Sequence, residues 1–192
     1  FLGLQCLDQI CDQAMMEEWV FHVPWVGVFL SVVIHKCLCL LGPSFDHFTL
    51  VPECHMDQGR PFESIPDVLS VIYLSSHLAV EHRQLWCLLF STQFHGQSFS
   101  QLCCLVTNQG PSLIVLKDRN GYVFGGFASC SWEVKPQFQG DNKCFLFSIA
   151  PQNGHTSAHG YNNHFMYLNY RQQSIPNGLG MGGQHHYFGL WV

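Results

Sequence analysis

A chain of 192 residues with 47% hydrophobic content has the material for one domain with an appendage, or for two small domains. Only 11% of its residues are charged, the formal charge is −5, and the eight Lys and Arg are scattered singly. That distribution excludes a nucleic-acid groove, which needs clustered positive charge to displace counterions.

The chain opens at Phe1 with neither an initiator methionine nor a signal-peptide pattern, which predicts a fragment of a longer protein. Leu4, Leu7, Cys11 and Met15 align on one side of a helix, and Pro24 ends or bends that helix near Val23. A second apolar run, Val26 to Ile34, continues past His35 and Lys36 to Leu41 before Gly42–Pro43 stops it. A membrane span needs about twenty mostly apolar residues, and His22, Pro24, His35 and Lys36 leave too few. Extending the run would bury Lys36 in hydrocarbon at a cost of about 2.5 to 3.5 kcal/mol. The expectation is a buried core helix and no transmembrane segment. The predicted organisation is a helical region over 1–43, an irregular connector over 44–67 and a second domain over 68–192.

Val68–Leu78 carries Leu69, Ile72, Tyr73 and Ser76 at helical spacing. Leu85–Ser91 (LWCLLFS) is a continuous apolar run and predicts a strand buried on both faces. Ser98 can cap a helix with Gln101 at its N3 position, and Phe99, Leu102, Cys103 and Val106 then complete one apolar face. Asn108, Gly110 and Pro111 end it. Strand Leu113–Lys117 follows, turns through Asp118–Gly121 and returns as Tyr122–Ala128. Asn120–Gly121 is the hairpin signal, since both residues tolerate positive φ. Gly125–Gly126 predicts a bulge or a close backbone approach inside that strand. The glycines of Asn177–Gly183 read as turn geometry, because no helix signal follows them to make an anion cradle.

Ten cysteines and twelve histidines raise the question of metals and disulfides. No CxxC occurs, and most cysteines sit in apolar runs, where a thiol behaves as a small buried hydrophobe. Without a secretory signal, a reducing compartment is expected rather than a disulfide scaffold. His155 and His159 are four apart, but Asn153, Gly154 and Gly160 favour a loop, and His185–His186 is a weaker pair. No metal site and no cofactor are expected. A catalytic centre is not expected either: there is no GxSxG elbow, and VFGGFAS lacks the spacing and lysine of a phosphate loop. Glu133, Asp141 and His164 remain isolated candidates.

Several separated words share one further property. VFGGFAS followed by SW, then FLFSIAP, then GLGMGG followed by YFGLW, with WCLLFS and HGQSFSQL upstream, closely resemble the TLDc domain of eukaryotic oxidation-resistance and vesicle-trafficking proteins. The resemblance covers about Leu69 to Val192. It implies an α+β fold built on an antiparallel β-sandwich flanked by helices. The upstream words WVFHVPWVGVFLSVVIHK and LVPECHMDQGRPFESIPDVLSVIYL resemble a lysosomal, mTOR-associated branch of that family, in which a small helical region precedes the domain. Family members continue past GLW to a last strand, so the resemblance also implies a missing carboxy-terminal end.

Three functional classes follow. The first, which the resemblance favours, is a non-catalytic adaptor. Its implied partners are the peripheral, cytosolic subunits of V-ATPase and mTOR-pathway proteins, and its implied location is cytoplasmic, at the lysosomal membrane surface. The second is a redox-protective domain with reactive cysteines, and the third is an unrecognised hydrolase. The candidate recognition surface is the segment 132–142, which mixes aromatics, charge and turn formers between two strands. Its candidate partner-binding residues are Trp132, Glu133, Lys135, Gln137, Phe138, Gln139 and Asp141. The bland alternative is an ordinary surface loop with Trp132 and Phe138 tucked beneath it.

Overall fold

Short apolar words separated by turn formers become two antiparallel four-stranded sheets. The computed structural model describes residues 13, 30, 33, 34, 37, 38, 51–55, 63–150, 154–157, 162–171, 175–184 and 187–192. The chain divides into two compact units, Phe1–His55 with Val71–Trp86, and Met56–Ser70 with Cys87–Val192.

The helix predicted over Leu4 to Met15 lies outside the described residues, apart from helical Gln13. Within Val26–Leu41, Leu30, Val33, Ile34 and Cys37 are helical. These four and Leu38 are exposed, so at the described positions the run is not the buried core helix expected. No helix among the described residues is long and apolar enough to cross a membrane. The connector is not wholly irregular either. Strand β1 (Glu53–His55) pairs with β2 (Leu85–Cys87) in a two-stranded sheet.

Helix α1 (Val68–Ser76) forms where its spacing predicted, but Leu69 is 60% exposed while Ile72, Tyr73, Leu74 and Ser75 are buried. Burial covers consecutive positions in the second half of the helix rather than one stripe. Asp67 precedes the first turn, and its Oδ1 accepts from the Ser70 N–H at 2.8 Å. The Ser70 side chain, and then its backbone N–H, hold the Asp67 carboxyl below its ordinary range. At the other end Arg83 donates to the carbonyls of Leu78 and Ser76, satisfying groups the helix leaves without partners. The predicted strand Leu85–Ser91 shrinks to β2, whose Leu85 and Cys87 are exposed. An unbroken apolar run gives no face to choose. Leu89 and Phe90 instead pack on the core outside any strand, and Ser91 ends the run by accepting from the Gln93 N–H to cap helix α2 (Thr92–His95).

Helix α3 (Phe99–Val106) is capped by Ser98, which accepts from the Gln101 N–H at 3.4 Å. Cys103 and Val106 are buried, with Phe99 and Leu102 packed beside them. Asn108 and Gly110 then take positive φ, as the terminator reading requires. β3 (Ser112–Lys117) and β4 (Val123–Ala128) form the predicted hairpin. Gly121 alone takes positive φ in its turn, while Asp118 Oδ1 accepts from the N–H groups of Asn120 and Tyr122.

One sheet has the order β3-β4-β6-β7, with β6 (Phe145–Ala150) and β7 (Gly154–Ser157). The other has the order β10-β9-β8-β5, with β5 (Lys135–Gln139), β8 (Met166–Asn169), β9 (Gly178–Gln184) and β10 (Tyr187–Trp191). Met166, Leu168, Leu179, Met181 and Leu190 meet Ala128, Trp132, Cys144 and the α3 residues Cys103 and Val106 in one core. The fold is therefore the expected α+β sandwich. One expectation changes and one is narrowed. The glycine-rich word 177–183 is strand β9 rather than a turn, with positive φ confined to Gly182 and Gly183. The pair Gly125–Gly126 serves close approach: a Cβ on Gly125 would lie 1.8 Å from the Ile114 carbonyl oxygen, and one on Gly126 would lie 2.5 Å from Met181 Sδ.

Both outer faces carry aromatic rings. Phe127, Phe145 and Phe147 are neighbours on one sheet. On the other, Phe138, Tyr167, Phe188 and Trp191 form a continuous layer. Glycines on β9 make room for it, since a Cβ on Gly178 would strike the Trp191 ring and one on Gly180 the Phe188 ring. β8 thus has core on one side and rings on the other, and all four of its residues are buried.

Candidate functional site

The candidate segment is a strand on the sheet's rim, not a loop. β5 pairs with β8 only at Lys135↔Leu168 and Gln139↔Met166, with a register irregularity between. Pro136 lies in that interval and has no N–H to give a ladder. A bulged, proline-bearing edge resists further strand addition, so this rim is suited to side-chain recognition more than to backbone pairing.

Trp132 anchors the segment from below. It is 0% exposed, its Nε1–H donates to Ser112 Oγ at 2.9 Å, and its carbonyl accepts from the Asn108 N–H at 3.0 Å. It is thus positioned to support a surface rather than to touch a partner. Gln139 closes the segment: its Oε1 accepts from the Glu133 N–H at 3.1 Å and its Nε2 donates to the Glu133 carbonyl at 2.8 Å. Lys135 Nζ meets Glu133 Oε2 at 2.7 Å. Phe138 stacks on His164 with ring centroids 4.0 Å apart, and His164 Nδ1 lies 2.8 Å from the Gly183 carbonyl. Glu133, Gln137 and Asp141 are exposed, as is Val134 at 44%, a residue the sequence reading passed over.

Asp141 belongs to the turn into β6. Its Oδ1 accepts from the Lys143 N–H at 2.9 Å and its carbonyl from the Cys144 N–H at 3.1 Å. The Ser129 hydroxyl is the main reason its carboxyl lies below the usual range. Glu133, Asp141 and His164 therefore have separate local partners. Among the described residues, no group of three or more His, Cys, Asp or Glu could hold a metal ion. His155 lies on β7, while its side chain, His159, His185 and His186 fall outside the described residues.

The two depressed aspartates give a testable pH dependence. A carboxyl with a lower pKa in the folded than in the unfolded chain stabilises the fold above the unfolded value, about 3.9, and that contribution is lost as pH falls through the folded value. Denaturant titrations should therefore show stability falling below about pH 4, and less so in Asp67→Asn with Asp141→Asn, since asparagine keeps a cap without titrating.

The cysteines are less buried than their apolar runs lead one to expect. Of the seven described, none in a disulfide, Cys103 and Cys144 are buried and Cys130 is half-buried, whereas Cys37, Cys54, Cys87 and Cys104 are exposed. Cys104 follows Cys103 on α3 and is turned about 100° off the apolar face by the helical repeat. Burial pushes the Cys103 and Cys130 thiols up. Mass-spectrometric labelling of the native chain should find the four exposed cysteines modified first and Cys103 and Cys144 last; equal rates would contradict this burial.

Comparison with known proteins adds three findings. The sequence profile of one family, the TLDc domain, matches residues 63–192. The chain is 79% identical over 192 residues to the MTOR-associated protein MEAK7 of Mus musculus and 63% identical over 191 residues to that of Homo sapiens. Each alignment covers 100% of this chain and 42% of the relative, so the chain spans well under half the length of these curated relatives. It is also 32% identical to Oxidation resistance protein 1 of Bos taurus over 108 residues, which cover 56% of this chain and 12% of that protein.

Proposed function

The chain belongs to the TLDc-domain family, and from that premise we propose that it is a non-catalytic adaptor that binds the cytosolic, peripheral sector of V-ATPase and contributes to mTOR signalling at the lysosomal surface. Supporting the mTOR part is the name of the relatives to which it is similar along its whole length. The observation that carries the adaptor reading is the rim segment 133–139. It is anchored by buried Trp132, closed by Gln139 and open to solvent at Glu133, Val134 and Gln137. An anchored surface of this kind loses little conformational entropy when a partner docks. The candidate acids, held by separate local partners, offer no paired general acid and base. The domain carrying this surface is proposed to be 68–192, preceded by a connector over 44–67 and a helical region over 1–43.

The test is capture from lysosomal membranes with the wild-type chain and with Glu133→Ala/Gln137→Ala. Both replaced side chains are exposed, and losing the Glu133–Lys135 pair costs the fold at most about 1 kcal/mol. Peripheral pump subunits and mTOR-pathway proteins should co-purify with the wild type, with the variant binding about tenfold more weakly. No association with intact V-ATPase at micromolar protein, together with turnover of a small substrate, would overturn the adaptor.

A further inference from the structure

Met166 Sδ and Cys144 Sγ pack against Gly140 and Cys130 Sγ lies beside Met166 Sδ, and we propose that the three sulfurs form a binding site for a soft monovalent metal ion, Cu(I). Cys130 Sγ lies 3.8 Å from Met166 Sδ. A Cβ on Gly140 would fall 2.8 Å from Met166 Sδ and 3.1 Å from Cys144 Sγ, so both sulfurs pack against the same side of this glycine, where no side chain would fit. Trigonal coordination with metal–sulfur bonds of about 2.3 Å separates the sulfurs by about 4 Å, close to the Cys130–Met166 spacing.

The donor set selects the metal. Two thiols and a thioether, with no imidazole among the three, suit Cu(I), whereas zinc favours four ligands drawn from thiolate, imidazole and carboxylate. The surroundings suit thiolates. Ser129 donates its N–H to Cys144 Sγ at 3.5 Å, and its Oγ lies 3.1 Å from the same sulfur. Such outer groups fix ligand orientation and charge. Burial pushes the Cys130 thiol up in the metal-free chain. On binding, each cysteine S–H gives its proton to solvent as a copper–sulfur bond forms, and Met166 binds through a lone pair. Copper stays Cu(I) throughout, so no oxidant or reductant takes part. Met166 and Cys144 are buried and Cys130 is half-buried, which makes Cys130 the entry point.

Cys130 and Cys144 also bracket the rim segment. A bound ion would tie the two ends of that segment together. The site nonetheless stands independently of any partner assignment.

The test adds Cu(I), as its acetonitrile complex and without oxygen, to the 192-residue chain in competition with a chromophoric Cu(I) chelator. The wild type should retain one equivalent more than Cys130→Ser/Cys144→Ser, and Met166→Leu should weaken that equivalent at least about tenfold. The exposed cysteines set the same background in every variant. Methyl NMR of the unaltered chain is independent of whether the variants fold. Of its five methionines, Met166 should shift with the first equivalent of Cu(I). Equal uptake by wild type and double variant, or an unmoved Met166 methyl, would overturn the site.

Discussion

Replacing Gly125 with alanine should lower the unfolding free energy by about 3 kcal/mol, the upper end for overpacking. The new Cβ would sit 1.8 Å from the Ile114 carbonyl oxygen and 2.7 Å from the Phe147 ring. A ring can turn aside, but a carbonyl inside the β3–β4 ladder moves only if the strands separate, and β4 is tied to β6 on its other edge. The neighbouring change, Gly126→Ala, meets the ends of the Met181 and Leu146 side chains at 2.5 and 3.1 Å. Flexible chains can yield, so its cost should be nearer about 1 kcal/mol. At about 2–4 °C per kcal/mol for a chain of this size, calorimetry should separate the two variants by several degrees. Equal losses would mean that the strands absorb the Gly125 contact and that its approach to Ile114 constrains nothing.

Trp132→Ala should be more damaging still, at about 4 kcal/mol, because it empties a fully buried indole site and leaves a cavity in the core. Trp132→Phe keeps most of the volume but removes the N–H that Ser112 accepts, and should cost about 1 to 2 kcal/mol. The two changes differ in what they do to the rim. Alanine frees the chain at the root of 133–139, so partner capture should fall although no exposed side chain has changed. Phenylalanine should leave capture close to wild type. If Trp132→Ala unfolded the chain only slightly and left capture unaltered, the indole would not be the anchor of the surface.

The outcomes of the sequence reading divide by how local their causes are. Ser98 and Gln101 specify the start of α3 within four residues, and Asp118 and Gly121 specify the β3–β4 turn within five; both elements form as expected. Gly125–Gly126 was legible as a close approach because few other needs place two glycines inside an apolar strand. The strand character of 178–184 was hidden for the opposite reason. Glycine usually signals a turn, and its use here depends on rings from Phe188 and Trp191, which are distant from Gly178 and Gly180 in order along β9 and β10. LWCLLFS misled because an unbroken apolar run carries no period, so length and facing had to come from tertiary packing.

In the candidate segment, composition marked an exposed rim without the parts its residues play there. Nothing in WEVKPQFQGDN distinguishes the buried Trp132 from the half-buried Phe138, or marks Gln139 as the clamp on Glu133. Those roles follow from Ser112 below and His164 beside it, each supplied by another part of the chain. The cysteine pattern shows the same limit, since Cys103 and Cys104 are adjacent in sequence and opposite in exposure.

The double-sided burial of β8 has a consequence for how the molecule breathes. Its neighbours β5 and β9 cover both edges, the core covers one face and the aromatic layer the other. Solvent can reach the amides of Met166–Asn169 only when one of those four coverings leaves. β5 is the least firmly attached of the two edges, with two paired positions against the four that join β8 to β9. Among the described residues, the slowest hydrogen exchange is therefore expected in the β8–β9 ladder, and the first opening that exposes it should peel away the rim that carries the proposed recognition surface. A partner that grips this rim would close that opening and so be felt as protection in β8, a strand it never touches.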